Sequence, residues 1–228
     1  MQPIASRDVA AATPRRPRRP KPRRRFPAEV LTDPEVRALL DACGGPYHPV
    51  ALRNRALIAL MYRAGLRVSE ALALSPKDVD LDTGTVRVLH GKGDVSRTVG
   101  LDAGACAVVA RWVEERTRAN VGQAGPLLCT ASGGPVCTGY VRRLLRRLGG
   151  RAGIAKRVHA HGLRHTHAAQ LRAEGIDVGI ISKQLGHRSI LTTIRYLDHI
   201  APVAVVEAVR NRGWRSPSNE LAHGGGSS

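Results

Sequence analysis

The chain has 228 residues, a formal net charge of +18, 43% hydrophobic residues and 3% aromatics. That length and apolar content fit one main domain with tails, exclude wholesale disorder and require an aliphatic core. No apolar run approaches the roughly 18–20 residues of a membrane span, and the N-terminus offers no apolar signal segment. Cys43, Cys106, Cys129 and Cys137 form no C-x-x-C pair and read as reduced thiols of a cytosolic protein.

The charge is unevenly placed. Residues 1–28 hold nine basic residues and one acid, and residues 116–173 hold eleven basic residues and no acid. The remainder is balanced. Two such blocks point to a polyanion, because nucleic acid releases counterions when its phosphates are neutralised. The first block, PRRPRRPKPRRR, is too rich in proline for a helix and reads as a disordered basic arm. The second has hydrophobic periodicity, so it is folded and shows its charge on a surface. Neither has the aromatic face of a membrane-surface helix, so no membrane partner is expected.

In chain order, Leu31-Thr32-Asp33-Pro34-Glu35 predicts a capped helix start, and Gly44-Gly45 its stop. Ala51–Ala64 predicts a strongly apolar helix ended by Gly65, with a short helix from about Ser69 to Leu74. Thr85–His90 and Ser96–Leu101 predict two strands joined through Gly91-Lys92-Gly93-Asp94-Val95, a hairpin with Lys92 at the turn. Asp102–Asn120 predicts a helix, and Leu127–Thr130 a short extended piece. Beyond it, Val141, Leu144, Leu145 and Leu148 line one helical face while Arg142, Arg143, Arg146 and Arg147 line the other. That helix is expected to dock on the core and present four guanidinium groups to DNA. Helices are expected at about His161–Glu174, Val178–Leu185, Leu191–Asp198 and Pro202–Asn211, then a flexible tail over 213–228. The fold class is mainly α with one small antiparallel β-hairpin.

The residues with chemical potential recur in a fixed order. Ala64-Gly65-Leu66-Arg67-Val68-Ser69-Glu70 places an arginine after a helix stop with an acid three residues on. Lys92 sits at the hairpin tip. His161-Gly162-Leu163-Arg164-His165 puts His161 and Arg164 on one helical face, and Leu185-Gly186-His187 precedes Tyr196 by nine residues. Taken singly, each has an ordinary reading: Tyr196 as packing, Lys92 as a turn lysine, Arg67 as a helix-end cap with Glu70 its surface partner, and the arginines at 142–147 as a solvated face. His161 and His165 stand four apart like a metal pair, but no carboxylate lies between them and Arg164 shares the face, so no metal is expected.

Together, Arg67, Lys92, His161-x-x-Arg164, His187 and Tyr196, with the flanks A-G-L-R-x-S-E, H-x-L-R-H and L-G-H-x-x-I-x-T-T-x-x-Y, closely resemble the tyrosine recombinase (phage integrase) family over about residues 31–212. The resemblance implies the DNA breaking-rejoining catalytic fold and a site-specific DNA recombinase or integrase. It also implies a 3′-phosphotyrosyl intermediate and no need of ATP or metal. In-line attack by a tyrosine oxygen on a phosphodiester adds negative charge to the non-bridging oxygens, which guanidinium forks match. Arg67 and Arg164 are the expected clamp, Tyr196 the nucleophile and Lys92 the general acid. His161 and His187 are expected to donate to the phosphate or move the tyrosine proton. Glu70 is expected to orient an arginine or histidine, and His165 to be a buried, hydrogen-bonded neighbour.

The chain departs from the family in two places. His167 stands where members often have phenylalanine, and the basic arm stands where most carry a separate helical DNA-binding domain. Alternative readings are a type IB topoisomerase-like relaxer and a non-catalytic DNA-binding accessory protein or mobile-element remnant. The expected partners are double-stranded DNA and further copies of the chain, in a tetrameric synapse built through the Pro202–Asn211 helix. The expected location is cytoplasmic, at the nucleoid.

Overall fold

The computed structural model describes residues 30–89, 96–122, 124–187, 189–200 and 210, without the side chains of 195, 199 and 200. The expected basic arm and C-terminal tail, and Lys92, lie outside the described residues, as does the expected helix Pro202–Asn211 save Arg210. The helices are α1 (Asp33–Asp41), α2 (Pro49–Tyr62), α3 (Val68–Ala73), α4 (Ala103–Arg118), α5 (Thr138–Arg151), α6 (Ala160–Ala173), α7 (Val178–Leu185) and α8 (Ile190–Ile200). Strands β1 (Val79–Asp80), β2 (Thr85–Val88) and β3 (Arg97–Gly100) form one antiparallel sheet in the order β1-β2-β3.

Local chemistry sets several ends. Thr32 and Glu35 form a reciprocal cap at α1, the Glu35 carboxylate accepting from the Thr32 N–H at 2.7 Å. Asp102 and Asp177 accept from the first-turn amides of α4 and α7. Leu31 N–H donates to Thr166 Oγ1 at 3.0 Å, pinning the entry of the chain to α6.

Helix α2 is the hub. A surface helix buries one stripe, but α2 buries Ala51, Leu52 and every residue from Ala56 to Tyr62, because α3, α4 and α6 pack on different sides of it. Its buried Arg53 is satisfied by the Cys129 carbonyl, the Asn54 amide oxygen and the Tyr140 hydroxyl. The sheet covers another side, with Val86, Val88 and Val99 buried in register Val86↔Val99. Helix α5 follows its pattern: Val141, Leu144, Leu145 and Leu148 are buried, and Arg142, Arg143, Arg146 and Arg147 are exposed.

The expected hairpin is here a three-stranded sheet. Strand β1 has two residues, too few to show alternation in the sequence, and the strands expected at Thr85–His90 and Ser96–Leu101 pair only over Thr85–Val88 and Arg97–Gly100. The extended piece at Leu127–Thr130 is a single bridge, Cys129 to Pro135.

Gly65 ends α2 with φ +63°, a left-handed conformation that costs other residues roughly 1–2 kcal/mol. A Cβ there would lie 2.6 Å from the His167 ring. The turn after α2 can therefore press directly on α6, which brings the Arg67 segment against the helix carrying His161 and Arg164.

Candidate active site

Arg164 is the most deeply placed of the predicted site residues, at 2% exposure. It donates through Nη1 to the Gly65 carbonyl at 2.5 Å and through Nη2 to the Leu185 carbonyl. The guanidinium thus joins the end of α2, the body of α6 and the end of α7. Burial, then the nearby Arg67 charge, press its pKa down to about 10, while Tyr196 and Glu70 pull upward. It stays charged at neutral pH.

Arg67 stands half-exposed at the start of α3 and donates through Nη1 to Glu70 Oε1 at 2.6 Å. The sequence left open that Arg67 capped the end of α2; instead Arg164 takes the Gly65 carbonyl. The other open reading made Glu70 a surface partner, yet its side chain is 1% exposed. It accepts the Arg67 backbone N–H at 2.8 Å and two bonds from Arg97, at 2.9 and 2.8 Å. Burial alone would raise the Glu70 pKa, but the Arg97 bonds, the Arg67 amide and the Arg67 guanidinium bring it down to about 2. Glu70 is an anion held between two guanidinium groups. Three arginines and one carboxylate leave a site with a positive surplus.

Tyr196 projects from α8 into the same pocket. Its ring stacks on His165 with centroids 4.5 Å apart, and meets His187 and His161 edge-on at 5.4 and 6.1 Å. Its hydroxyl is buried and feels the Arg164 charge, but has no hydrogen bond of good geometry to any described group. Burial raises its pKa and outweighs the lowering by Arg164 and Arg67, so the phenol is neutral at pH 7. His187 Nδ1 shares a 2.8 Å hydrogen bond with the buried Thr193 hydroxyl, one turn before Tyr196 on α8. That bond leaves the other ring nitrogen for the pocket.

His165 departs from expectation. Its Nδ1 is buried without a hydrogen-bond partner, because the ring is turned to stack between His161, at 4.1 Å, and Tyr196. His159 serves as the cap of α6, its Nδ1 accepting the Gly162 N–H at 2.7 Å. Among the described residues no cluster of three His, Cys, Asp or Glu side chains could hold a metal. Burial and neighbouring positive charge hold His165, His167 and His187 near pKa 4 and lower that of His161. These imidazoles are neutral at pH 7.

Residues that carry no motif complete the frame. Gln184 on α7 accepts from Gly100 N–H at 3.0 Å, donates to the Gly100 carbonyl at 2.9 Å and reaches the Ala64 carbonyl at 3.3 Å. It fastens α7, and so His187, to β3 and to the end of α2. Arg97 and Thr193 also went unpredicted; the signal for Arg97 was the need of a buried Glu70 for more than one cation.

Beside this pocket, Arg142, Arg143, Arg146 and Arg147 line a groove of about 870 Å³ with Lys156, Arg157 and His159. His159 in that lining lies near enough to His161 and His165 to act on them electrostatically.

Residues 29–201 match the phage integrase family. The chain belongs to that family. It is 37% identical over 209 residues to tyrosine recombinase XerD of Bifidobacterium longum, covering 88% of this chain and 66% of that one. Among solved structures it resembles XerA recombinase, with TM-score 0.71 and 28% identity over 82% of this chain and 66% of the other. It also resembles XerH bound to its palindromic difH substrate after cleavage, with TM-score 0.66 and 29% identity over 82% and 54%. The chain therefore spans about two thirds or less of the length of these phage integrase relatives. Membership of the phage integrase family carries with it the mainly helical catalytic-domain fold and its small antiparallel sheet.

The neutral histidines have a measurable consequence. Their folded pKa values lie below the unfolded value of about 6.5, so on acidification the unfolded chain takes up protons first. Stability is retained above that value and falls as pH drops from about 6.5 toward 4. His167 is 4% exposed, and its share approaches about 1.4 kcal/mol per pH unit within that window. Urea unfolding at pH 7, 6 and 5 should show the decline, and His167→Phe should make it shallower. An equal decline in the Phe variant would show that His167 is not held neutral.

Proposed function

We propose that this chain is a site-specific DNA recombinase that cleaves and rejoins double-stranded DNA through a 3′-phosphotyrosyl intermediate. One observation carries the reading. The Tyr196 phenol shares a pocket with two guanidinium groups and three neutral imidazoles, and among the described residues one carboxylate, Glu70, balances the arginines there. Such a pocket is built for an anion beside a nucleophile. The recombinase names and DNA-bound complexes of its relatives support the same reading.

The steps follow from the charges. A phosphodiester enters between Arg67 and Arg164, which neutralise its non-bridging oxygens. The phenol is neutral, so it must lose its proton as it attacks. A neutral imidazole can accept that proton, and His187, oriented by Thr193, is suited to do so. The bond from Tyr196 Oη to phosphorus forms as the bond from phosphorus to the deoxyribose 5′-oxygen breaks. Lys92 supplies the proton that the departing oxygen needs. Rejoining reverses the sequence: a 5′-hydroxyl attacks, tyrosine leaves, and the phosphotyrosyl ester has conserved the bond energy without ATP.

The α5 groove is the proposed track for the duplex. Arginines spaced along one exposed helix face suit contacts to phosphates and base edges. The basic arm is proposed to wrap the DNA backbone. Exchange between two duplexes needs several active sites, so self-association on DNA through Pro202–Asn211 is part of the proposal. Its Val203, Val205, Val206 and Val209 offer an apolar side. A DNA substrate implies work at the nucleoid. Among the described residues no helix is long and apolar enough to cross a membrane.

The chemistry is tested with a pool of nicked duplexes of random sequence in EDTA. The wild type should form a covalent adduct and Tyr196→Phe none, while the Phe variant still binds DNA. An adduct that survives in the Phe variant refutes the nucleophile. The groove is tested by salt titration of DNA binding. Replacing Arg142 and Arg146 by alanine should weaken affinity and lower the slope of log K against log salt by about 1 for each phosphate no longer neutralised. An unchanged slope would remove α5 from the interface.

A further inference from the structure

We propose that Arg97 is a positioning residue for DNA cleavage, holding the Arg67 guanidinium through Glu70 and tying β3 to the end of α7 that precedes His187. The proposal rests on the cleavage reading above.

Arg97 begins β3 and is nearly buried, its side chain 12% exposed. Both terminal nitrogens are committed to Glu70, Nη1 to Oε1 at 2.9 Å and Nη2 to Oε2 at 2.8 Å. The Nη1–Nη2 edge of the guanidinium is thus taken up by the Glu70 carboxylate, on a side chain that is mostly buried. It fixes the plane of that carboxylate. The same two oxygens hold Arg67, Oε1 through its Nη1 and Oε2 through its backbone amide. Rotating Glu70 would release both the Arg67 side chain and the start of α3.

The opposite face of Arg97 lies on Gly186. That glycine ends α7 with φ +62°, and a Cβ there would come within 2.6 Å of Arg97 Nε and 2.8 Å of its Cδ. The residue before His187 therefore serves as the floor on which the Arg97 guanidinium rests. Nε faces that floor without a hydrogen-bond partner, a geometry set by packing and by the Glu70 fork. One side chain thus joins three separated segments, the start of α3 with Arg67, the end of α7 before His187, and β3. A lysine at 97 could pair with Glu70 but could not bridge both oxygens in one plane.

The test has two arms. The first needs no DNA: Arg guanidinium NMR of the full chain, comparing wild type, Arg97→Gln and Arg97→Lys. The Arg67 Nη signals should be resolved in the wild type and averaged by rotation in both variants, with the backbone amide spectrum otherwise native. Unchanged Arg67 signals overturn the proposal. The second arm measures adduct formation on the nicked-duplex pool. Both variants should slow it by about 10- to 100-fold, in line with the cost of small displacements of a catalytic group, at unchanged DNA affinity. Combining Arg97→Gln with Arg67→Lys should cost no more than Arg67→Lys alone, since Arg97 acts through Arg67. A loss that multiplies, or one explained by weaker DNA binding, overturns the role. If Arg97→Gln does not fold, Arg97→Lys carries both arms. Absence of any adduct from the wild type would reject the cleavage reading, and the NMR arm would still decide whether Arg97 holds Arg67.

Discussion

Arg164 carries a charge into the interior of α6, where its donors end on the carbonyls of Gly65 and Leu185 rather than on an acid. A buried cation without its own counter-ion costs several kcal/mol unless well-placed dipoles hold it. Here two helix ends provide those dipoles, and a carbonyl offsets only part of a full charge. The remainder is available to an incoming anion. The need to supply both carbonyls fixes where α2 stops, where α7 stops and how α6 lies between them.

Other features keep that arrangement in register. Glycine at 65 lets the turn after α2 press on His167. Gln184 joins the last residue of β3 to α7, and Thr193 sets the ring of His187 from α8, the helix that bears Tyr196. The site is therefore assembled from elements that each fold locally and are then locked by single hydrogen bonds across long sequence separations. Burial first, and then the positive surroundings of the pocket, keep its histidines neutral. At pH 7 the imidazoles are thus free to accept a proton, and the phenol is uncharged.

Much of this was legible before any coordinates. The capping pair Thr32 and Glu35, the apolar run of α2 and the two-faced pattern of α5 each depend on neighbours a few residues away, and the chain states such things directly. The motif residues were legible because their types and order match a known chemistry. Arg97, Gln184 and Thr193 were not. Their partners lie 27, 84 and 6 residues distant in sequence, and an arginine in a strand or a glutamine in a helix has no periodic signature. His165 shows the same limit: its place near the site was readable, but the residue is half-buried rather than buried, and a stack on Tyr196 in place of a hydrogen bond depends on how α6 and α8 are set against one another. Two-residue β1 was hidden by its length.

The geometry makes a further demand, that the tyrosine serve the arginines of its own chain. Tyr196 reaches the pocket of Arg164, His165 and His187 from α8 of the same molecule, so under the proposed mechanism nucleophile and clamp are joined in cis. Mixing two inactive variants, Tyr196→Phe and Arg164→Gln, on the nicked-duplex pool measures this directly. The mixture should form no adduct, while wild type diluted with a protein carrying both substitutions should. Recovery of adduct by the mixed variants would mean that one protomer lends its tyrosine to another, and would contradict the single-chain site described above.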